Sequence, residues 1–151
     1  RLGAGNNAEA RFVAWNGIGV GLALALFNSL LIWLLAAPVV SLYTGNPEVR
    51  TLAMSLILLA MMFQISDSLQ VNLAGALRGY KDTRVVMGIT LFSYWLVGLG
   101  CGHLLGRGLD GTFDSLGIYG YWIGLNAGLT SAALLLAWRL WRVSRRQRME
   151  T

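Results

Sequence analysis

The sequence predicts an all-α membrane protein with four transmembrane helices. Three observations carry this: a low density of charge, four long stretches almost empty of it, and basic residues gathered on one side of the implied topology. Of 151 residues, 56% are hydrophobic and 13% are charged, against roughly a quarter charged in a soluble domain. That leaves too little polar surface to cover a water-soluble fold. A span needs roughly 20 mostly apolar residues to cross about 30 Å of hydrocarbon, and each stretch is long enough. The runs are continuous rather than alternating and about twice the length of a barrel strand, so helices follow and strands do not.

The opening residues Arg1 to Arg11 read as a Gly-rich turn leading into a helix. Asn6 is placed to cap its start, and Glu9 to complete a capping box. From Phe12 to Pro47 there is no Asp, Glu, Lys, Arg or His, which predicts a first span over about residues 16–43. That run is too long for a signal peptide. Asn46 then suits an N-cap, Pro47 the first helical position and Glu48 the positive end of the helix dipole. The second span, about 49–77, is broken only by Asp67. In the connection Arg78-Gly-Tyr-Lys-Asp-Thr-Arg84, Asp82 is the best cap for a third span over about 85–106. A Gly- and Asp-rich link from Arg107 to Ser115 leads to a fourth span, about 115–138, and a basic tail, 139–151. Residues 1–151 thus read as part of one transmembrane domain. Short links predict that helices adjacent in sequence pack as antiparallel neighbours. The abrupt opening, without a start methionine, suggests a piece of a longer protein.

Arg1 and Arg11, then Arg78, Lys81 and Arg84, then Arg139, Arg142, Arg145, Arg146 and Arg148 all fall on one side of four spans. That side holds ten of the 12 Lys and Arg. The positive-inside rule puts it, with both termini, in the cytoplasm of a multi-pass protein. The net charge of +5 is then a topology anchor beside anionic membrane lipids, with no nucleic acid required. A single cysteine, Cys101, excludes an internal disulfide and a multi-cysteine metal site.

Spans three and four carry a packing signal. Gly98, Gly102 and Gly106 recur every fourth residue, as do Gly120, Gly124, Gly128 and Ala132. Each series makes a flat stripe where another backbone can approach closely. Trp33, Tyr43, Tyr119, Tyr121, Trp122, Trp138 and Trp141 flank the spans as an interfacial belt.

Asp67 is the informative position. Between it and Arg50 lie 16 residues, and between it and Arg78 lie 10, so it is deep in the hydrocarbon zone. A carboxylate there costs several kcal/mol unless it is neutralised, paired or hydrated, which favours protonation or capture of a cation. At helical spacing its face includes Ala60, Phe63, Gln64, Gln70, Val71 and Ala74, so two amides flank one acid as in a polar cavity. His103 lies toward the outer end of its span, where an interface can hydrate it. Asn28, Ser93, Asn126, Thr130 and Ser131 either line a cavity or join helices. No nucleophile–base constellation, metal cluster or phosphate loop is present in the sequence, so neither an enzyme, a metal nor a cofactor is expected.

At Gln64-Ile-Ser-Asp-Ser-Leu-Gln-Val71, followed by Gly75-Ala-Leu-Arg-Gly-Tyr-Lys-Asp-Thr-Arg84, the sequence resembles the multidrug and toxic compound extrusion (MATE) transporters, in their bacterial NorM-like branch. Leu42 to Val49 resembles an outer loop of that family, Arg1 to Gly5 the tail of an inner loop, and Tyr121 to Ser131 the last span. The resemblance implies twelve helices in two six-helix lobes, of which these would be the last four. It implies exchange of inward H⁺ or Na⁺ for outward cationic amphiphilic drugs across the bacterial inner membrane, with the missing N-terminal part of the transporter as partner. Asp67 falls on the acid that couples the cation, with Gln64, Phe63 and Gln70 around it. Phe63 stands where the family often has a tyrosine, which removes one possible ion ligand. Three rival readings remain. A lipid-linked sugar flippase of the same superfamily would want a cationic cavity, and the span interiors hold no Lys or Arg. A membrane-embedded enzyme would need Asp67 and His103 within hydrogen-bond reach. A non-transporting assembly subunit would bury Asp67 against one helix with no cavity beside it.

Overall fold

The computed structural model describes residues 7–108 and 115–149, with side chains described over 9–108 and 115–145. Four long helices make up this structure: α1 (Asn7–Tyr43), α2 (Pro47–Gly79), α3 (Thr83–Arg107) and α4 (Ile118–Met149). Each contains a stretch long and apolar enough to cross a membrane. At 1.5 Å per residue even α3 is about 37 Å long, which exceeds the hydrocarbon thickness. The proposed Asn6 cap and most of the Arg107–Ser115 link lie outside the described residues. Helix α4 does not stop at 138 but continues through the Arg-rich segment.

Local chemistry fixes the ends. Asn46 is extended, and its side-chain oxygen accepts from the Glu48 N–H at 2.9 Å, with Pro47 opening α2. At the other end of α2 the chain closes in a Schellman motif: the Asp82 N–H donates to Leu77 (3.1 Å) and the Lys81 N–H to Arg78 (2.9 Å). Its left-handed position is held by Lys81, with φ 61°. Asp82 does occupy the N-cap position of α3, but its side chain caps nothing. Its carboxylate instead accepts from Arg139 Nε at 2.6 Å, which ties the α2–α3 turn to α4. A guanidinium offers the carboxylate both charge and a hydrogen bond, where a cap offers one N–H alone. Next to this turn, burial pushes the Tyr80 phenol above its ordinary value, against the charge of Arg11.

The helices do not pack in sequence order. Helix α1 lies against α2, α2 against α4, and α4 against α3, while α2 and α3 make few contacts with each other. The expectation of purely sequential neighbours is therefore corrected: α4 wedges between α2 and α3. It runs parallel to α2 and is clasped to it by Ser55–Tyr119 (2.7 Å), Ser66–Thr130 (3.0 Å) and the Asn126 amide on the Leu59 carbonyl (3.3 Å). Side-chain hydrogen bonds of this kind hold helices together where lipid tails supply no hydrophobic drive.

Two different adhesives divide the molecule along its length. Toward the Arg-rich end, Leu73, Ala74, Leu77, Val86, Ala133, Leu136 and Leu140 form an apolar cluster that takes in Ile18 of α1. Toward the opposite end, glycines take over. Gly98 faces Gly128, Gly102 faces Gly124 and Gly106 faces Gly120, in antiparallel register across α3 and α4. The α1–α2 seam is built on Ile18, Ala25, Ser29, Ala36 and Val40, whose alternating spacing of seven and four residues follows one face of a helix. Most long apolar side chains, from Phe12 and Phe27 to Leu96 and Leu134, are exposed.

Candidate coupling site

Because α4 separates α2 from α3, a trough is left between those two helices with α4 as its floor. The trough holds a cavity of about 600 Å³ lined by Phe63 and Asp67 from α2, by Tyr94, Trp95, Gly98, Leu99 and Gly102 from α3, and by Tyr121, Leu125, Gly128 and Leu129 from α4. Asp67 is the only charged side chain in that lining among the described residues. Among the described residues, its carboxylate receives no hydrogen bond and no ion pair. Glycines at the α3–α4 seam both bring two backbones together and leave room where side chains would fill the trough.

Helix α3 changes its winding beside this cavity. Residues Phe92–Leu99 are π-helical, between α-helical turns Thr83–Leu91 and Gly100–Arg107. A wider turn of this kind re-aims side chains and recurs at functional sites. Here two consecutive residues, Tyr94 and Trp95, both line the cavity. Nothing in the run Phe-Ser-Tyr-Trp-Leu-Val-Gly-Leu breaks an α-helix, so sequence patterning gave no sign of it.

The residues grouped with Asp67 by helical spacing divide between two places. Phe63 shares its cavity and meets Trp122 edge-on, with ring centroids 6.4 Å apart at 81°. Gln64 instead lines a second groove of about 590 Å³ between α1 and α2, with Asn28, Ser68 and Asn72. In that groove the Ser68 hydroxyl donates to the Gly21 carbonyl (3.0 Å), and the Asn72 amide donates to the Ser68 carbonyl (2.7 Å). Gln70 is buried and lines neither cavity. The image of two amides flanking the acid in one polar cavity is thus corrected: aromatic rings and glycines surround Asp67. A helix face read at 100° per residue spans more than one neighbour, and α2 has one on either side.

His103 is exposed and absent from the lining of the Asp67 cavity. Asn126 and Thr130 join helices, Ser131 bonds its own backbone at Gly128, and Ser93 is fully buried with its hydroxyl unpartnered. Of the expected aromatic belt, Trp33, Tyr43, Trp138 and Trp141 are exposed. Tyr119 and Trp122 are used within the packing instead, at Ser55 and against Phe63, while Tyr121 is exposed and also lines the cavity. The residues that sequence reasoning did not single out for the site are Tyr94, Trp95, Leu99, Leu125 and Leu129. All five are ordinary residues in an apolar span, and only the folded geometry groups them with Asp67.

A family model described as MatE matches residues 1–104, which cover α1, α2 and most of α3. The chain belongs to the MatE family. Multidrug resistance protein MdtK of Cronobacter sakazakii is 47% identical over 151 residues, and the alignment includes all of this chain. It covers 33% of that relative, so the chain spans about a third of its length. The MatE match contributes two walls of the Asp67 trough, from α2 and α3. The floor, α4, lies beyond the family model and within the alignment to MdtK.

Proposed function

We propose that this chain is the C-terminal third of a multidrug transporter that exports cationic amphiphilic compounds in exchange for H⁺ or Na⁺ across the bacterial inner membrane. In this reading Asp67 captures the coupling cation, and alternating access delivers it to the opposite side. One observation carries the reading: a lone carboxylate, mid-span in its helix, faces an aromatic-lined cavity with no protein partner. An acid in that setting is costly unless a proton or cation joins it, which is the condition for cation-driven exchange. Aromatic faces around it suit organic cations, whose charge is attracted to ring quadrupoles. Family membership and the likeness to MdtK support the same reading. A non-transporting assembly subunit would have no cavity beside Asp67, and a sugar-lipid flippase would want basic residues in it. The Arg-rich end is then cytoplasmic by the positive-inside rule.

The test is ion-driven ethidium efflux by the full-length transporter in proteoliposomes. Asp67→Asn is isosteric and removes the charge, so it should abolish efflux while the protein still inserts and purifies as a folded species. Full wild-type efflux by that variant would sink the mechanism.

A further inference from the structure

We propose that the Tyr94 hydroxyl is the second oxygen on the coupling cation held at Asp67, so that Tyr94 is a positioning residue for cation capture. The inference rests on the reading of Asp67 just given, and extends it to a residue on a different helix.

Depth is the first argument. Asp67 lies twelve residues before the end of α2 at Gly79, and Tyr94 eleven residues after the start of α3 at Thr83. Both are therefore about 17 Å from the shared turn along their helix axes. The two side chains line the same cavity, from α2 and from α3. The second argument is chemical elimination. The side-chain oxygens in the lining belong to Asp67, Tyr94 and Tyr121, and every other lining residue is apolar, glycine or Trp95, which only donates. The ring of Tyr121 packs on Gly106, where an added Cβ would lie 2.5 Å from its Cε2. Gly106 is twelve residues beyond Tyr94 on α3, about 18 Å toward the opposite end. That leaves Tyr94 as the hydroxyl at the depth of the acid.

The third argument is what a captured cation needs. A protonated carboxyl in an apolar trough carries an O–H that requires an acceptor, and a sodium ion requires several oxygens. The Tyr94 oxygen serves both: it accepts the hydrogen bond from the protonated acid, or it donates a lone pair to Na⁺. No hydrogen bond occupies it among the described residues. Tyr94 lies within the π-helical segment, and its neighbour Trp95 lines the same cavity.

The experiment measures ethidium efflux by the full-length transporter against driving-cation concentration, with pH and Na⁺ gradients imposed separately. Tyr94→Phe removes one oxygen from a half-exposed side chain and should leave the fold intact. For whichever cation drives the wild type, it should raise the half-activating concentration about tenfold, the worth of one hydrogen bond. The maximal rate should fall by less than about a factor of two. Tyr119→Phe, which loses a hydroxyl outside the cavity, should leave half-activation in place. A Tyr94→Phe curve superimposable on wild type overturns the inference. So does a loss of maximal rate with unshifted half-activation, which marks a purely structural role. The parent reading fails separately, if Asp67→Asn keeps full efflux. As a measurement independent of that variant's folding, modification of wild-type Asp67 by a hydrophobic carbodiimide should fall as Na⁺ is added where Na⁺ drives transport, or rise as the pH is lowered where H⁺ does, and Tyr94→Phe should need about tenfold more of that cation for the same change. An identical cation dependence in both overturns the inference.

Discussion

Lys81 holds φ 61°, in the left-handed region where a Cβ crowds the following carbonyl, because the Schellman closure of α2 needs that conformation at that position. Glycine serves such a position without strain, yet the nearby Gly79 lies inside the helix. Lys81→Gly should therefore stabilise the protein by about 1 kcal/mol, read as a higher midpoint of thermal unfolding in detergent. A lower midpoint would mean that the side chain supplies something its exposed position does not suggest. Legibility at this scale follows sequence distance. Asn46, Pro47 and Glu48 could be read as a helix start because the cap and its partner are two residues apart. Asp82 could be read as a helix start but not as a pairing residue, since its partner Arg139 is 57 residues away. Asp67 stood out because a charge interrupts an apolar run. Tyr94 did not, because a tyrosine in such a run is commonplace.

The glycine seam between α3 and α4 is one-sided. A Cβ added to Gly102 would rest at 3.6 Å from the Tyr121 Cα and 3.7 Å from the Gly124 Cα, which is ordinary contact. A Cβ added to Gly124 would run into the Gly102 backbone and lie 2.7 Å from the Gly98 carbonyl oxygen. The Cα–Cβ bonds at Gly120, Gly124 and Gly128 thus point at the α3 backbone, whereas those at Gly98 and Gly102 meet α4 only at ordinary contact distance and that at Gly106 meets the Tyr121 ring. Gly124→Ala should force the helices apart at a cost of about 1–3 kcal/mol, and Gly102→Ala should cost far less. Thermal unfolding of the two variants side by side tests this, and equal destabilisation would contradict the asymmetry. Fourfold spacing made both stripes visible in sequence. It does not encode the direction of a Cα–Cβ bond relative to a neighbour, so which stripe requires glycine became visible only in three dimensions. The same limit hid the π-helical turn and the division of Phe63 from Gln64.

Across the whole molecule the four spans were legible from charge and hydropathy, while their order in space was not, because apolar runs of similar composition carry no label for their partners. In the row α1–α2–α4–α3 the turn that links α2 to α3 is joined to α4 by Asp82 and Arg139. A double-mutant cycle with Asp82→Asn and Arg139→Gln should give a coupling of about 1 kcal/mol, at the upper end for a partly exposed pair with short geometry. Additive losses would show that the turn is held by its backbone alone. The row also sets an order of assembly. A ribosome delivers α3 before α4, but α3 finds most of its contacts on α4 and few on α2. During membrane insertion the third helix must therefore wait as a loosely attached span until the fourth arrives and zips onto its glycines. Its waiting time is set by the synthesis of the link and of α4, about 40 residues at about 5–20 residues per second. In that interval Asp67 has lost its floor, so the acid most important to the proposed transport is also the last to be enclosed at birth.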